Sequence, residues 1–355
     1  MGKQIFEISL KGCTMEDNNK PLVSLCITCY NQAEYIRESV QSAFEQTYSP
    51  LEIVISDDCS TDGTDKIIEE MIAEYKGPHK VVFNRNATNL FIAKNYEKAF
   101  KMARGELLVT GAGDDISLPN RIEQIVEAWF KSGKTATLLM HGWEEIDLFG
   151  NVNCIVITPW DVRSLLGAMS AYHRRVIDCF KEFPFVEGVY EDGILSLRAL
   201  AIGSFVTINK PLGKWRRGSG ESTNCGYREK RIRVSFSHLK SCDIFIDNVC
   251  KSGLQIEGAF LENVKNVIDW RRRHYSAEYD ACAGKFFWTR LSGWLRLTPE
   301  NGWYISRYQR WFVYGRFVPP LGLGVFIEPV VRLAVKLRLT RLVKWIWRFA
   351  KRRIW

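Results

Sequence analysis

No aspartate or glutamate follows Glu328, so the end of the chain carries charge of one sign only: Arg332, Lys336, Arg338, Arg341, Lys344, Arg348, Lys351, Arg352 and Arg353. Those nine side chains equal the whole net charge of +9, and residues 1–328 balance to zero. A neutral body argues against a nucleic-acid surface spread over the fold and points to a local anionic partner for the tail, most simply acidic lipid head groups. Long apolar runs are also missing. The first twenty residues hold no apolar signal core, and the longest uncharged stretch near the end, Phe317 to Ile327, falls well short of the roughly 20 residues of a spanning helix. The chain is therefore expected in the cytoplasm, peripheral on the inner face of the plasma membrane. Its ten cysteines are scattered, and the single close pair, Cys26 and Cys29, lies in an apolar run that reads as a strand. Residues three apart on a strand face opposite ways, which excludes a zinc or redox pair and leaves reduced, buried thiols. The glycine-rich phosphate loop that would open a nucleotidyltransferase is also absent near the first strand.

What is present is a chain of 355 residues, 46% apolar and 25% charged, with room for one large α/β domain and an appended segment. Leu22 to Thr28 reads as a buried strand, and Ile36, Val40, Ala43 and Phe44 then share a helical face. Leu51 to Ile55 is a second strand, followed by a helix through Ile67, Ile68, Met71 and Ile72 with Asp62 or Thr61 placed to cap it. Val81 to Phe83, Ile92 to Ala103 and Glu106 to Thr110 continue the alternation as strand, helix and strand, which builds a parallel sheet. In a doubly wound sheet the ligand crevice lies beyond the C-terminal strand ends. The polar residues there are Tyr30 and Asn31, Asp57 and Asp58, and Asp114 and Asp115. Four acids at two strand ends repel one another unless water or cations reach them. Asp57, Asp58 and Asp62 have an alternative as caps of the following helix. For Asp114 and Asp115, Ser117 and Pro119 already supply the helix start, which frees the pair for a hard cation such as Mg²⁺ or Mn²⁺.

Three blocks carry a family likeness: Pro21-Leu-Val-Ser-Leu-Cys-Ile-Thr-Cys-Tyr-Asn31, Val54-Ile-Ser-Asp-Asp-Cys-Ser-Thr-Asp-Gly-Thr64, and Gly105-Glu-Leu-Leu-Val-Thr-Gly-Ala-Gly-Asp-Asp-Ile-Ser-Leu-Pro119. Together with Glu191-Asp192-Gly193-Ile194-Leu195 they resemble family 2 glycosyltransferases over about residues 20–220. The resemblance implies the GT-A fold, a Rossmann-like, mostly parallel central sheet flanked by helices, and inverting transfer from a nucleotide-sugar, most often a UDP-sugar. It places Thr28, Tyr30 and Glu34 around base and ribose, with Asp57 accepting from the base and Asp58 beside it. Asp114 matches the metal-binding acid of the family's Asp-x-Asp motif, although Ala112 stands where that motif has its first acid, so Asp115 or water completes the cation's shell. Lys214, Arg216 and Arg217, in a loop from Leu212 to Ser222, are candidates for the diphosphate because guanidinium groups grip phosphate in a bidentate way. Gly218 occupies the place of a histidine found in many relatives. Asp192 matches the general base, with Glu191 as its neighbour, and the alternative for the pair is capping of the helix through Leu195, Leu197, Leu200 and Ala201. A catalytically silent, membrane-tethered binder of nucleotide-sugars is the competing reading, motivated by Ala112 and Gly218.

Beyond this segment the chain divides by composition. Residues 1–20 are an N-terminal extension, 21–225 the catalytic domain, 226–284 helices packed on it, and 285–355 a membrane-associating region. Ile232, Phe236 and Leu239, then Phe260, Val264 and Ile268, recur at helical spacing. Trp288, Trp294, Trp303, Tyr304, Tyr308, Trp311 and Tyr314 suit a headgroup boundary. Leu339, Leu342, Val343, Ile346, Ala350 and Ile354 share one helical face opposite Arg341, Lys344, Arg348, Lys351 and Arg352, the pattern of an in-plane helix in which each basic residue contributes about 1 kcal/mol at an anionic surface. The other occupants of that face are the chain's own domain or a second copy in a homodimer. Membrane attachment suits an acceptor on a lipid carrier or, by analogy with bacterial relatives, a growing surface polysaccharide.

Overall fold

The computed structural model describes residues 20–157, 167–180, 188–219 and 227–283. The aromatic and basic segment 285–355 on which the membrane expectation rests lies outside them. Two compact units are present. The first begins with β1 (Val23–Cys29), α1 (Ile36–Phe44), β2 (Leu51–Asp57), α2 (Thr64–Glu74), β3 (Lys80–Arg85), α3 (Phe91–Met102) and β4 (Leu107–Ala112). It continues through β5 (Ile116–Ser117), α4 (Arg121–Lys131), β6 (Ala136–Ile146), β7 (Val152–Val156), β8 (Ser170–His173), the short α5 (Arg175–Asp178) and, later in the chain, β9 (Ser204–Arg216). The second unit contains α6 (Glu191–Ile202), α7 (Tyr227–Ser252) and α8 (Gly258–Ala283). Helix α6 thus groups with the two long helices that follow it.

All seven residues of β1 and of β2 are buried, as strands covered on both faces must be. Their β-branched and aliphatic side chains pack with α1, α2 and α4: Leu25, Ile27, Ile53 and Val109 meet Ile36, Val40, Ile68, Ile125 and Trp129 in one core. Each such aliphatic side chain contributes about 1.5–3 kcal/mol by leaving water. Helix α3 packs on β1 and β2 outside that cluster.

The sheet order is β3-β2-β1-β4-β8-β6-β9-β5, with β7 on β6. The first four strands are parallel, and β8 then pairs antiparallel with both β4 and β6. The sequence foresaw the parallel half. In the other half it missed that β9 runs through Arg216, in parallel pairing with β6 and antiparallel pairing with β5. The segment read as a loop from Leu212 is a strand as far as Arg216, held on both edges. In the order 3-2-1-4 successive strands run outward from β1 on one side and return on the other, so the topological switch point lies between the C-terminal ends of β1 and β4.

Candidate active site at the switch point

Register brings the sequence blocks together at that point. Thr28 is opposite Ala112 on one side and Ser56 on the other, and Cys29 is opposite Asp57. The Gly113 N–H donates to Thr28 O (2.9 Å) and the Asp58 N–H to Cys29 O (2.9 Å), so the turns after β2 and β4 are both anchored to the end of β1.

The two acids after β2 shape loops. Asp57 has no exposed surface; its carboxylate accepts from the Ser60 N–H (3.0 Å) and from the Ser60 hydroxyl. Asp58, 3% exposed, accepts from Asn86 Nδ2 (2.9 Å) and from the Leu90 N–H (2.8 Å) at the start of α3. It therefore serves the helix after next rather than α2. Burial raises its pKa, with these hydrogen bonds opposing the rise. The N-cap of α2 is Gly63, at φ +94°, where the left-handed backbone favours glycine. Asp62, expected to cap that helix, is one residue earlier: it accepts from the Thr64 N–H (3.1 Å) and reaches across to the Ala33 N–H (2.9 Å). Asn31, at φ +50°, accepts from the Thr61 N–H (2.9 Å), and its own N–H donates to Ser60 Oγ (2.8 Å). The post-β2 loop thus moulds the post-β1 loop. On the latter, Tyr30 is 43% exposed and Glu34 is exposed, while Thr28 is nearly covered.

The turn after β4 is fastened to the end of β9. The Arg216 N–H donates to Asp115 Oδ1 (2.9 Å), and Arg216 Nε donates to Asp114 O (3.1 Å). The same guanidinium donates through Nη1 to Asp147 O (3.3 Å) and Leu148 O (3.2 Å), pairs through Nη2 with Glu38 (2.7 Å), and lies 4.7 Å over the Tyr35 ring. Arg216 is 2% exposed. Within the protein its donors go to Asp114, Asp147, Leu148 and Glu38, so that it clamps α1, the acidic turn and the β6–β7 connection. Lys214, one side chain back on the same face of β9, is partly exposed and lies 3.6 Å from Glu144, while Arg217 is exposed just past the strand.

Beneath the acid pair lies a buried cation. Arg121, 1% exposed, donates to Thr110 O (2.8 Å), Ala168 O (2.9 Å), Ser117 Oγ (3.0 Å) and His141 Nε2 (2.9 Å). Since Nε2 accepts, His141 carries its proton on Nδ1, directed at Gly142 O (2.7 Å). Burial first, and Arg121 second, hold the imidazole well below its usual pKa, and burial brings Arg121 down to about 10. Asp115 is pushed well above the usual carboxylate range by burial and by Asp114, against the opposing pull of Arg216 and Arg121. Nothing in the sequence distinguished Arg121 or Glu38 from surface charges.

Among the described residues no three His, Cys, Asp or Glu side chains gather as a metal cage. Two adjacent carboxylates, one already accepting from Arg216, fit a hard cation that fills its shell with waters and ligand phosphates rather than with protein.

In the second unit, Glu191 and Asp192 form the first turn of α6. Glu191 is 4% exposed and its carboxyl is pushed up to about 8 by burial and by neighbouring Asp192, which is the more exposed of the two.

Comparison with known proteins agrees with this architecture. Residues 24–179 match the model of glycosyl transferase family 2. A putative glycosyltransferase, EpsE, of Bacillus subtilis is 32% identical over 133 residues, covering 38% of this chain and 47% of that protein. An uncharacterized glycosyltransferase of Methanocaldococcus jannaschii is 33% identical over 136 residues, 38% and 46% of the two chains. The chain thus spans less than half the length of these curated relatives. A mannosyltransferase from Pyrobaculum calidifontis, solved with GDP-Man and Mn²⁺, superposes with a TM-score of 0.58 at 15% identity, over 89% of this chain and 81% of that one. The fold is GT-A, as the sequence blocks implied.

Proposed function

We propose that the chain is an inverting glycosyltransferase that moves a sugar from a nucleoside-diphosphate donor, a UDP-sugar on the pattern of its sequence blocks, to a hydroxyl of a glycan or lipid-linked acceptor. The observation that carries this reading is the convergence of the post-β1 loop and the Arg216-clamped acid pair at the switch point of the sheet. Tyr30, Thr28 and Glu34 face base and ribose. Asp57 accepts from the base with Asp58 beside it, and both also hold the loops that shape that face. Lys214 and Arg217 attract the diphosphate, and Asp114 with Asp115 would hold Mn²⁺ or Mg²⁺, which when bound neutralises charge gathering on the leaving group.

In the transfer the acceptor oxygen forms a bond to the anomeric carbon as the bond from that carbon to the diphosphate oxygen breaks. The electron pair leaves with the nucleoside diphosphate, and the hydroxyl proton passes to the Asp192 carboxylate. A single displacement inverts the anomeric centre. Glu191, buried beside Asp192, keeps its own proton at neutral pH and so adds no second negative charge.

The nine basic residues after Glu328, with no acid among them, support attachment of residues 329–355 to an anionic membrane, the cytoplasmic face of the plasma membrane being the site that suits a lipid-linked acceptor. No helix among the described residues is long and apolar enough to cross a membrane. Domain limits at 20, 225 and 284 follow the changes in composition.

The test is release of nucleoside diphosphate from a panel of UDP- and GDP-sugars with Mn²⁺ present. Turnover with at least one donor is expected, and its loss in Asp192→Asn with donor affinity kept. Full activity in that variant removes Asp192 from its role, and silence with every donor and acceptor favours a binding protein.

A further inference from the structure

We propose that Arg271, on α8, is a positioning residue that sets the first turn of α6, the turn bearing Glu191 and Asp192; this rests on the reading of Asp192 as the base. Arg271 has no exposed surface, unlike its neighbours Arg272 and Arg273. Its Nη1 donates to the carbonyl oxygen of Gly193 (2.6 Å) and its Nη2 to Ser196 Oγ (2.8 Å), while Ser196 Oγ in turn donates to Gly193 O (3.1 Å). A planar fork on two acceptors one helical turn apart fixes rotation of α6 about its own axis, which apolar contacts such as Ile194 with Ile244 leave loose.

Two further contacts hold the same turn. The Tyr190 N–H, immediately before α6, donates to Ser237 Oγ of α7 (2.8 Å). A Cβ on Gly193 would lie 2.7 Å from Ser241 Oγ and 3.0 Å from Ser241 Cβ, so α6 meets α7 here at a distance that only glycine permits. Ser241 is itself fixed, its hydroxyl donating to His238 O (2.9 Å). The two long helices that supply these contacts are locked together by Arg231 and Ser235 on the fully buried Glu278 carboxylate, and by His238 stacked on Tyr275 at 4.3 Å. A buried guanidinium costs more desolvation than an apolar side chain of equal volume would. What it adds is orientation: the α7–α8 pair, which the sequence assigned no chemistry, dictates where the Asp192 carboxylate points.

The experiment uses the full chain and measures kcat, donor affinity by titration, and circular dichroism. Arg271→Met is expected to lower kcat roughly tenfold to a hundredfold with donor affinity changed less than about twofold, and Arg271→Lys, which keeps one donor, to fall between. Gly193→Ala should lose kcat in the same way, and a second change, Ser241→Gly, should restore it by removing the atoms that the new methyl meets. Unchanged kcat in a folded Arg271→Met overturns the proposal, as does equal loss of kcat and donor affinity. If Arg271→Met does not fold, failure of Ser241→Gly to rescue Gly193→Ala overturns it instead. Asp192→Asn separates the two ideas: activity there sinks the assignment of the base, whereas an inactive Asp192→Asn beside an active Arg271→Met sinks this inference alone.

Discussion

Arg216 donates its backbone N–H to the carboxylate of Asp115 across 2.9 Å, 101 positions along the chain, and its guanidinium returns to the carbonyl of the preceding Asp114. The acid pair is therefore not a free turn. Its backbone is set by a strand that arrives late in the sequence.

Replacing Arg216 by methionine takes the guanidinium donors from the carbonyls of Asp114 and Leu148, and one of two donors from that of Asp147, and should cost roughly 2–4 kcal/mol in urea unfolding. Binding of a nucleoside diphosphate with Mn²⁺ should weaken as well, because the turn loses its clamp. Lys214→Ala and Arg217→Ala, at more exposed positions, should change stability by less than about 0.5 kcal/mol while weakening the same binding. Stability loss confined to Arg216→Met, with affinity loss in all three, is the pattern expected.

Glu191 gives a pH dependence whose sign is fixed. Its folded pKa of about 8 lies above the unfolded value of about 4.3, so between those pH values the folded state binds the extra proton and stability falls as pH rises. Glu191→Gln removes that contribution. Melting curves from pH 5 to 8.5 should show the native chain losing stability relative to the variant across this window, with the two differing most at the alkaline end.

Cysteine reactivity tests the packing. Cys26 and Cys29 lie on a fully buried strand, where burial raises both thiols, aided by Glu52 for Cys26 and by Asp57 for Cys29. Cys154, Cys179 and Cys250 are exposed. Brief treatment of the native chain with a thiol-alkylating reagent, read by peptide mass spectrometry, should mark those three and spare Cys26, Cys29, Cys242 and Cys282. Marking of Cys26 would contradict a closed β1.

How much of this was legible depends on burial. Strands β1, β2 and β4 are covered on both faces, so they spell largely apolar runs, and the acids that follow β2 and β4 stand out by contrast. Strand β9 is only partly buried and contains Pro211, Gly213, Lys214 and Arg216, so its end from Leu212 reads as a loop although Lys214, Trp215 and Arg216 pair with β6. Charge was the least legible feature. Arg216 and Arg217 are adjacent, as are Arg271, Arg272 and Arg273, yet only Arg216 and Arg271 are buried, and each is decided by carbonyls and carboxylates supplied from distant segments. Asp58 likewise reads as a cap for α2 but serves α3, because the sheet places Asn86 and Leu90 beside it.

The central claim, that Asp114 receives a divalent cation together with a diphosphate, is tested most directly by calorimetric titration of UDP and GDP into the protein with and without Mn²⁺. The account predicts binding that tightens sharply when Mn²⁺ is present, a loss of that enhancement in Asp114→Asn, and its partial survival in Asp115→Asn, whose amide oxygen can still accept from Arg216. Equal affinity with and without the ion, or an Asp114→Asn variant that responds to Mn²⁺ as the native chain does, would contradict it.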